Sequence, residues 1–253
     1  MKKVLFIIAF IFFFNDLFAG LSVDPAVTNV KIKPSKQYKG EYSVTNTYTK
    51  PIDITIEIED WNSFNGNEGL TVQDWFQIEN TAYALAAGQT ITIPYTVSIK
   101  DNLKGSISAR LTFFVDKNKQ NRIVSVSVPL YVTVSGTEIL DFDIENISLF
   151  NENGNILFKA DIINKGNIHI RPSFYAEIYD YKKEKLIKKV NIPEELPVYA
   201  QKTRQLQNKL FSNTDLQKGK YHLVLKTRAL TKEITKELTF KLSEEGTITF
   251  NTL

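Results

Sequence analysis

The residues best suited to acid–base chemistry in this chain are its two histidines, His169 and His222. A catalytic site gathers such groups with a nucleophile or a metal at a defined spacing. Both histidines stand in alternating stretches, "NIHIRP" and "KYHLVL", without a triad-like or metal-ligand neighbour. The motifs GxSxG and HExxH and a phosphate-binding glycine loop are absent from the sequence. We therefore expect two solvated strand histidines, no catalytic residue, no cofactor and no enzyme activity.

Acidic residues near "NGNEG" are the candidates for a cation site. They are Glu57, Glu59, Asp60 and Asp74. A calcium loop needs oxygen ligands at regular positions, and Phe64 stands where the next oxygen is required. Glu57 and Glu59 alternate with isoleucines, which is typical of the solvent face of a strand. The sequence thus predicts no metal site.

The segment "IVSVSVPLYVTVSG", residues 123–136, alternates strictly between apolar and small polar positions. This period of two predicts a long strand. Its candidate binding side chains are the apolar set Val124, Val126, Val128, Leu130 and Val132. Pro129 lies among the polar positions and indicates a sheet edge or a bulge. Two interpretations stay open: the segment closes its own sandwich as the last strand of a first domain, or it binds a partner protein.

The segment "RPSFYAEIYDY" places aromatic residues on the polar face of another predicted strand. This candidate face consists of Arg171, Tyr175, Tyr179 and Tyr181. Exposed aromatic side chains can stack on sugars or anchor a protein partner. Tyrosine is also a common strand residue on a half-exposed sheet. Both interpretations are kept.

The whole chain is rich in short alternating segments separated by turn-forming clusters, which predicts an all-β fold of β-sandwiches. A weak internal repeat relates "GEYSVTNTYTKPIDITIEI" to "FKADIINKGNIHIRPSFYAEI", so that Asn46 corresponds to Asn164 and Gly105 to Gly219. We expect two tandem immunoglobulin-like domains, residues 20–136 and 137–253, with the boundary near Gly136.

Residues 1–19 have the features of a secretory signal peptide: Lys2 and Lys3, an apolar run over residues 4–14, and Ala19 at the cleavage position. The run is too short to span a bilayer, and we expect an exported, soluble mature chain without a membrane span. With no cysteine the fold must be held by its core alone, which suits a bacterial periplasmic or cell-surface protein. A net charge of +3 lacks the basic excess expected of a nucleic-acid binder.

The first domain resembles the N-terminal domain of PapD-like periplasmic chaperones, which assemble pili and related surface fibres. The matching stretches run in order: "LSVDP", "YSVTN", "IDITIEIEDW", "FQIENTAYALAAGQTITIPYTV" and residues 123–134 as the seventh strand. The resemblance implies that this strand completes an unfinished fibre subunit by β-strand pairing. The second domain is similar to immunoglobulin-like modules of bacterial surface proteins.

One feature of that family is missing from the expected positions. The family holds the subunit's terminal carboxylate with two basic residues, but Val27 and Thr28 stand near the first position and residues 123–136 contain no Lys or Arg. The resemblance implies an exported, non-enzymatic protein-binding factor whose partners are fibre subunits or other envelope proteins. The alternative is an adhesion or cell-wall-associated module that binds cell-wall or host glycan.

Overall fold

The computed structural model describes residues 20–61, 67, 69–116, 124–193, 196–243 and 247–252. The predicted signal peptide, residues 1–19, and Ile123 lie outside this part of the chain. The strands are β1 (Leu21–Asp24), β2 (Thr28–Ile32), β3 (Gln37–Asn46), β4 (Ile52–Asp60), β5 (Phe76–Ile78), β6 (Ala82–Leu85), β7 (Thr90–Ser98), β8 (Ser106–Val115), β9 (Val124–Val134), β10 (Phe142–Glu152), β11 (Asn155–Asn164), β12 (Ser173–Asp180), β13 (Leu186–Ile192), β14 (Thr203–Ser212), β15 (Gly219–Ala229), β16 (Lys232–Leu242) and β17 (Ile248–Thr252).

Strands β1 to β9 form a first sandwich of two sheets, in the orders β1-β3-β7-β5 and β2-β9-β8-β4-β6. Alternate side chains from both sheets meet in one apolar core that includes Tyr42, Trp75 and Phe113. Gly40, partly buried beside this core, leaves room for the Tyr95 side chain, because a Cβ there would lie 2.3 Å from the Tyr95 hydroxyl oxygen on the neighbouring strand. The first segment of the chain is shared between the sheets, since β1 pairs with β3 and β2 with β9.

Strands β10 to β17 form a second sandwich, with sheets in the orders β10-β11-β14 and β13-β12-β15-β16-β17. Its separate core includes Phe158, Phe174 and Phe240. The predicted all-β fold of two tandem sandwiches is confirmed. Helical structure in the described residues consists of short 3-10 turns, at Val72–Asp74, at Asn213–Asp215 and at Asn67. None of the helical elements described is long and apolar enough to cross a bilayer.

Asn46 connects two loops of the first sandwich, β3–β4 and β6–β7, from a fully buried position. Its side-chain Nδ2 donates to the carbonyls of Lys50, Leu85 and Ala86 at 2.9, 3.2 and 2.9 Å. Its Oδ1 accepts from the backbone N–H of Tyr48 at 2.9 Å. One amide therefore satisfies backbone groups that the turns leave without sheet partners.

Asn164 makes equivalent hydrogen bonds to loop backbone groups in the second sandwich, where it is also buried. Its Nδ2 donates to the carbonyls of Ile168 and Val198 at 2.8 and 3.0 Å, and its Oδ1 accepts from Gly166 N–H at 3.0 Å. In both sandwiches one acceptor lies four residues later and the bonded N–H two residues later. The repeat seen in the sequence thus corresponds to the same pattern of loop-anchoring hydrogen bonds in both sandwiches.

We predict that Asn46→Ala and Asn164→Ala each lower the free energy of unfolding by at least about 2 kcal/mol, because several buried backbone groups lose their partner. Urea denaturation of the purified variants measures the loss. Asn29→Ala, on the exposed face of β2, is the matched control and should stay within about 0.5 kcal/mol of the parent. Equal losses at all three positions would contradict the anchoring role.

Candidate protein-binding edge

Strand β9 has two neighbours over only part of its length. Antiparallel β8 pairs with it from Val124 to Thr133 without a break in register. On the other side, parallel β2 pairs only with residues 130–134. Within the described chain, residues 124–129 have no strand on that side. We call these six residues the open edge.

The backbone groups that point out of the open edge can be assigned from the ladder. Val134 N–H donates to the Gly105 carbonyl on the β8 side, whereas Ser135 N–H donates to Ile32 on the β2 side. Because bonding direction alternates along a strand, every second residue from Val134 backwards bonds to β8. The N–H and C=O groups of Ser125 and Ser127 therefore point outwards. Pro129 shares their parity, so its missing N–H removes no bond to β8.

The five apolar residues predicted as a binding strand lie on the opposite parity and face the sandwich interior. Val128, Leu130 and Val132 are completely buried in the first core. Val126 is partly buried against it, and Val124 is 37% exposed. Three of the five side chains are therefore committed to the chain's own core, and the surface offered at the open edge is backbone plus Val124 and Val126.

Other exposed edges of the two sandwiches carry features that discourage pairing with a foreign strand. Some are very short, such as β5, β6 and β1 with three or four residues. Others carry charge, such as β13 with Lys188 and Lys189 and the uncovered half of β3 with Lys39 and Glu41. Short length and charge are both protections against edge-to-edge association.

The open edge lacks these protections among its own residues. Its sequence, "VSVSVP", has no charged side chain, and its pairing with β8 contains no bulge. The edge strand β10, in contrast, has a register shift between Glu145 and Ser148 and a positive φ of 50° at Asn146. Pro129 is the one blocking feature, and it lies at the end of the open edge, next to the start of β2.

The second sandwich is hydrogen-bonded to the start of β8 and to the segment that follows β9 through Asn167, which is 3% exposed. Its carbonyl accepts from Ser106 N–H at 2.9 Å, and its side chain donates to Thr137 O and accepts from Ile139 N–H, at 2.8 and 2.7 Å. Gly105, at φ +67°, permits this approach, because a Cβ there would lie 2.2 Å from the Asn167 carbonyl oxygen. We call this contact the joint.

An aromatic stack extends the joint over the outer face of β9. Tyr131 stacks on His169 at 4.4 Å between ring centroids and on Trp61 at 6.1 Å, and its hydroxyl lies 3.3 Å from that of Tyr199. Burial, with a smaller contribution from the Arg171 guanidinium, lowers the pKa of His169 to about 4. The prediction of a solvated His169 was wrong, because a sequence pattern within one strand does not show that another sandwich covers it.

His222 is also not solvated, being 8% exposed. Its Nε2 lies 2.7 Å from Oε2 of Glu237 on the adjacent strand, and Tyr179 is its neighbour on the other side. The prediction failed because the outer face of this sheet is itself packed with long side chains.

Tyr175 and Tyr179 share that outer face, as predicted, with Glu177 between them. Lys189 and Lys226 each lie 3.3 Å from a Glu177 carboxylate oxygen and within 6 Å of the Tyr175 ring centroid. Burial raises the pKa of Glu177, but hydrogen bonds from Tyr179, Lys226 and Lys189 outweigh it and hold the pKa below its ordinary value. These tyrosines are thus engaged within the chain, and a binding role for them stays a prediction.

Of the other two residues of the predicted aromatic face, Tyr181 lies at the end of the same outer face, beside Lys220, and Arg171 lies elsewhere. The Arg171 guanidinium is 5.8 Å from the Tyr131 ring centroid, at the joint. Tyr181 follows the end of β12 at the far end of the second sandwich and is 54% exposed. The grouping was wrong for Arg171, because this residue precedes β12 and lies outside its alternation.

Comparisons with known proteins give structural neighbours but no family assignment. No family model and no curated protein matches the sequence. The class 5 fimbriae chaperone CfaA has 14% identity and a TM-score of 0.48, over 86% of this chain and 98% of that one. CsuC–CsuE, a chaperone–tip adhesion subunit complex of Acinetobacter baumannii Csu pili, has 15% identity and a TM-score of 0.46, over 87% and 98%.

The E. coli chaperone DraB is similar to the same degree, with 13% identity and a TM-score of 0.41 over 85% of this chain and 96% of that one. These three neighbours are chaperones or a chaperone complex, two of them of fimbriae or pili, and the second sandwich is not singled out. Since identities are 15% or less and TM-scores below 0.5, the activity of this chain must be argued from its own geometry.

We predict that the free energy of unfolding falls at acidic pH because of His169. Its pKa is about 4 when folded and about 6.5 when unfolded, so only the unfolded state takes up a proton between these values. The free energy of unfolding should therefore fall by about 2–3 kcal/mol between pH 7.5 and pH 4.5 from this residue. His169→Phe keeps a ring against Tyr131 and should remove that part of the pH dependence. Identical pH profiles for parent and variant in urea denaturation would contradict the assignment.

Proposed function

We propose that this chain is an exported, non-enzymatic protein-binding factor of the pilus-assembly chaperone type, which binds a partner subunit by β-strand pairing along the open edge. The observation that carries the proposal is the uncharged, unbulged stretch of residues 124–129, with the backbone groups of Ser125 and Ser127 directed outwards. The sequence resemblance to PapD-like chaperones supports it. The partner class is a subunit of a surface fibre or another envelope protein.

The shape of the open edge defines what a partner has to supply. A strand added beside residues 124–129 would extend the sheet in line with β2 and accept and donate bonds at Ser125 and Ser127. Its inward side chains would cover the partly buried Val126 and Leu21, which pack against the first core. Its outward side chains would lie next to small serines. We expect a partner strand that alternates apolar and small polar residues.

Backbone pairing can be removed without altering the core. Ser127→Pro deletes an outward N–H at a position of the same parity as Pro129, and Ser125→Lys adds a charge to the open edge. Val128 and Leu130 are unsuitable for this purpose, since a buried aspartate there would unfold the sandwich.

We predict that the tagged chain, purified from its native cells, carries a stoichiometric protein partner and that both variants lose it by tenfold or more. Hydrogen exchange should show the Ser125 and Ser127 amides fast in the free chain and slow in the complex, while the Val126 amide, bonded to β8, is slow in both. Thr92→Lys, exposed on β7 in the opposite sheet, adds the same charge and should keep the partner.

Retention of the partner at parental level by folded Ser127→Pro and Ser125→Lys would contradict the proposal. Protection of amides elsewhere, with Ser125 and Ser127 still exchanging fast in the complex, would also contradict it. Circular dichroism and the urea midpoint of each variant establish that the fold is intact.

A further inference from the structure

A second candidate site lies at the far end of the second sandwich, away from the open edge and the joint. It is a depression of about 200 Å³ whose polar lining is formed by Tyr181, Lys220, Thr239, Lys241 and Thr249. The Lys220 ammonium lies 5.2 Å from the Tyr181 ring centroid. More than half of the Tyr181 surface is open to solvent. The depression therefore combines an aromatic ring, two ammonium groups and two hydroxyls.

Lys220 and Lys241 occupy directly opposite positions on β15 and β16. Like charges at such positions repel and destabilise a sheet. Neither lysine makes an ion pair with a carboxylate in the described part of the chain. Several other lysines of the second sandwich do have one: Lys183 and Glu237, Lys188 and Asp215, Lys189 and Glu177, Lys226 and Glu177, Lys232 and Asp141, Lys236 and Asp143. Lys220 and Lys241 are thus two neighbouring ammonium groups on one sheet face without a carboxylate between them in the described part of the chain.

We propose that this depression binds an anionic sugar of the uronic-acid class. A carboxylate between Lys220 and Lys241 would form charge-assisted hydrogen bonds and remove their mutual repulsion. The apolar face of the sugar ring would stack on Tyr181, and the hydroxyls of Thr239 and Thr249 would bond to sugar hydroxyls. A bare phosphate would use the lysines alone, whereas the exposed ring beside them favours a saccharide. This activity goes beyond strand pairing and does not depend on it.

The test uses the full chain and three probes in isothermal titration calorimetry. Hexagalacturonate carries both sugar and charge, maltohexaose has the same length and linkage type without charge, and tripolyphosphate carries charge without sugar. We expect saturable binding of hexagalacturonate that weakens with salt, and no binding of maltohexaose. Lys241→Gln and Lys220→Gln should each raise its Kd about tenfold or more, and Tyr181→Ala about fivefold.

Lys202→Gln is the matched control, because Lys202 is exposed at the joint end of the second sandwich and its loss changes the net charge equally. It should leave the Kd of hexagalacturonate unchanged. Lys241→Glu places a carboxylate opposite Lys220, so it should keep or raise the thermal midpoint while abolishing binding.

Equal weakening by Lys202→Gln and Lys241→Gln would overturn the proposal, since it would show attraction to net charge alone. Tripolyphosphate binding as tightly as hexagalacturonate, with Tyr181→Ala without effect, would overturn the saccharide assignment. The open-edge variants Ser125→Lys and Ser127→Pro should bind hexagalacturonate like the parent, so that failure here and failure of strand pairing are distinguishable.

Discussion

The division of the N-terminal segment between two sheets determines which backbone groups of the first sandwich lack a partner. β1 adds to β3 in one sheet, and β2 then adds to β9 in the other. Because β2 has five residues and β9 has eleven, the parallel pairing ends at Leu130, and within the described chain no strand pairs with residues 124–129 on that side. The length of the open edge therefore depends on where the N-terminal segment passes from the first sheet to the second, which is between β1 and β2.

The joint places the second sandwich where it leaves that edge accessible. Asn167 and the stack of Tyr131 on His169 contact the covered half of β9 and its neighbour β8. The side chain of Tyr131 points away from the core, since Leu130 and Val132 on either side of it are buried inwards. One strand thus contributes to the core with one face, to the joint with the other, and to the open edge with the backbone of its first half.

Much of the architecture could be predicted from the sequence, because it depends on local alternation and on repeated turn chemistry. The strand Val124–Val134 and the correspondence of Asn46 with Asn164 follow from such patterns, whereas the bonds that these two amides make came only from the structure. Which strand edges are open and which are covered could not be predicted, since the alternation of valines in β9 is compatible with a strand inside a closed core and with a strand that binds a partner. The parity of Pro129 was the available signal that the serine positions point outwards. His169 was misjudged because the surface that covers it comes from a distant part of the chain.

The burial of Val128, Leu130 and Val132 limits how strand pairing could work here. Side chains that already fill the chain's own core cannot also fill cavities in a partner without unfolding the first sandwich, at about 1.5–3 kcal/mol for each exposed residue. Backbone hydrogen bonds at Ser125 and Ser127 do not depend on the partner's side chains, so they discriminate little between partner sequences. Selection among partner strands must then come from the fit against Val124, Val126 and Leu21, where the sandwich is incompletely closed. A partner that itself lacks a strand has the most to gain from such an edge, because pairing there satisfies backbone groups on both proteins at once.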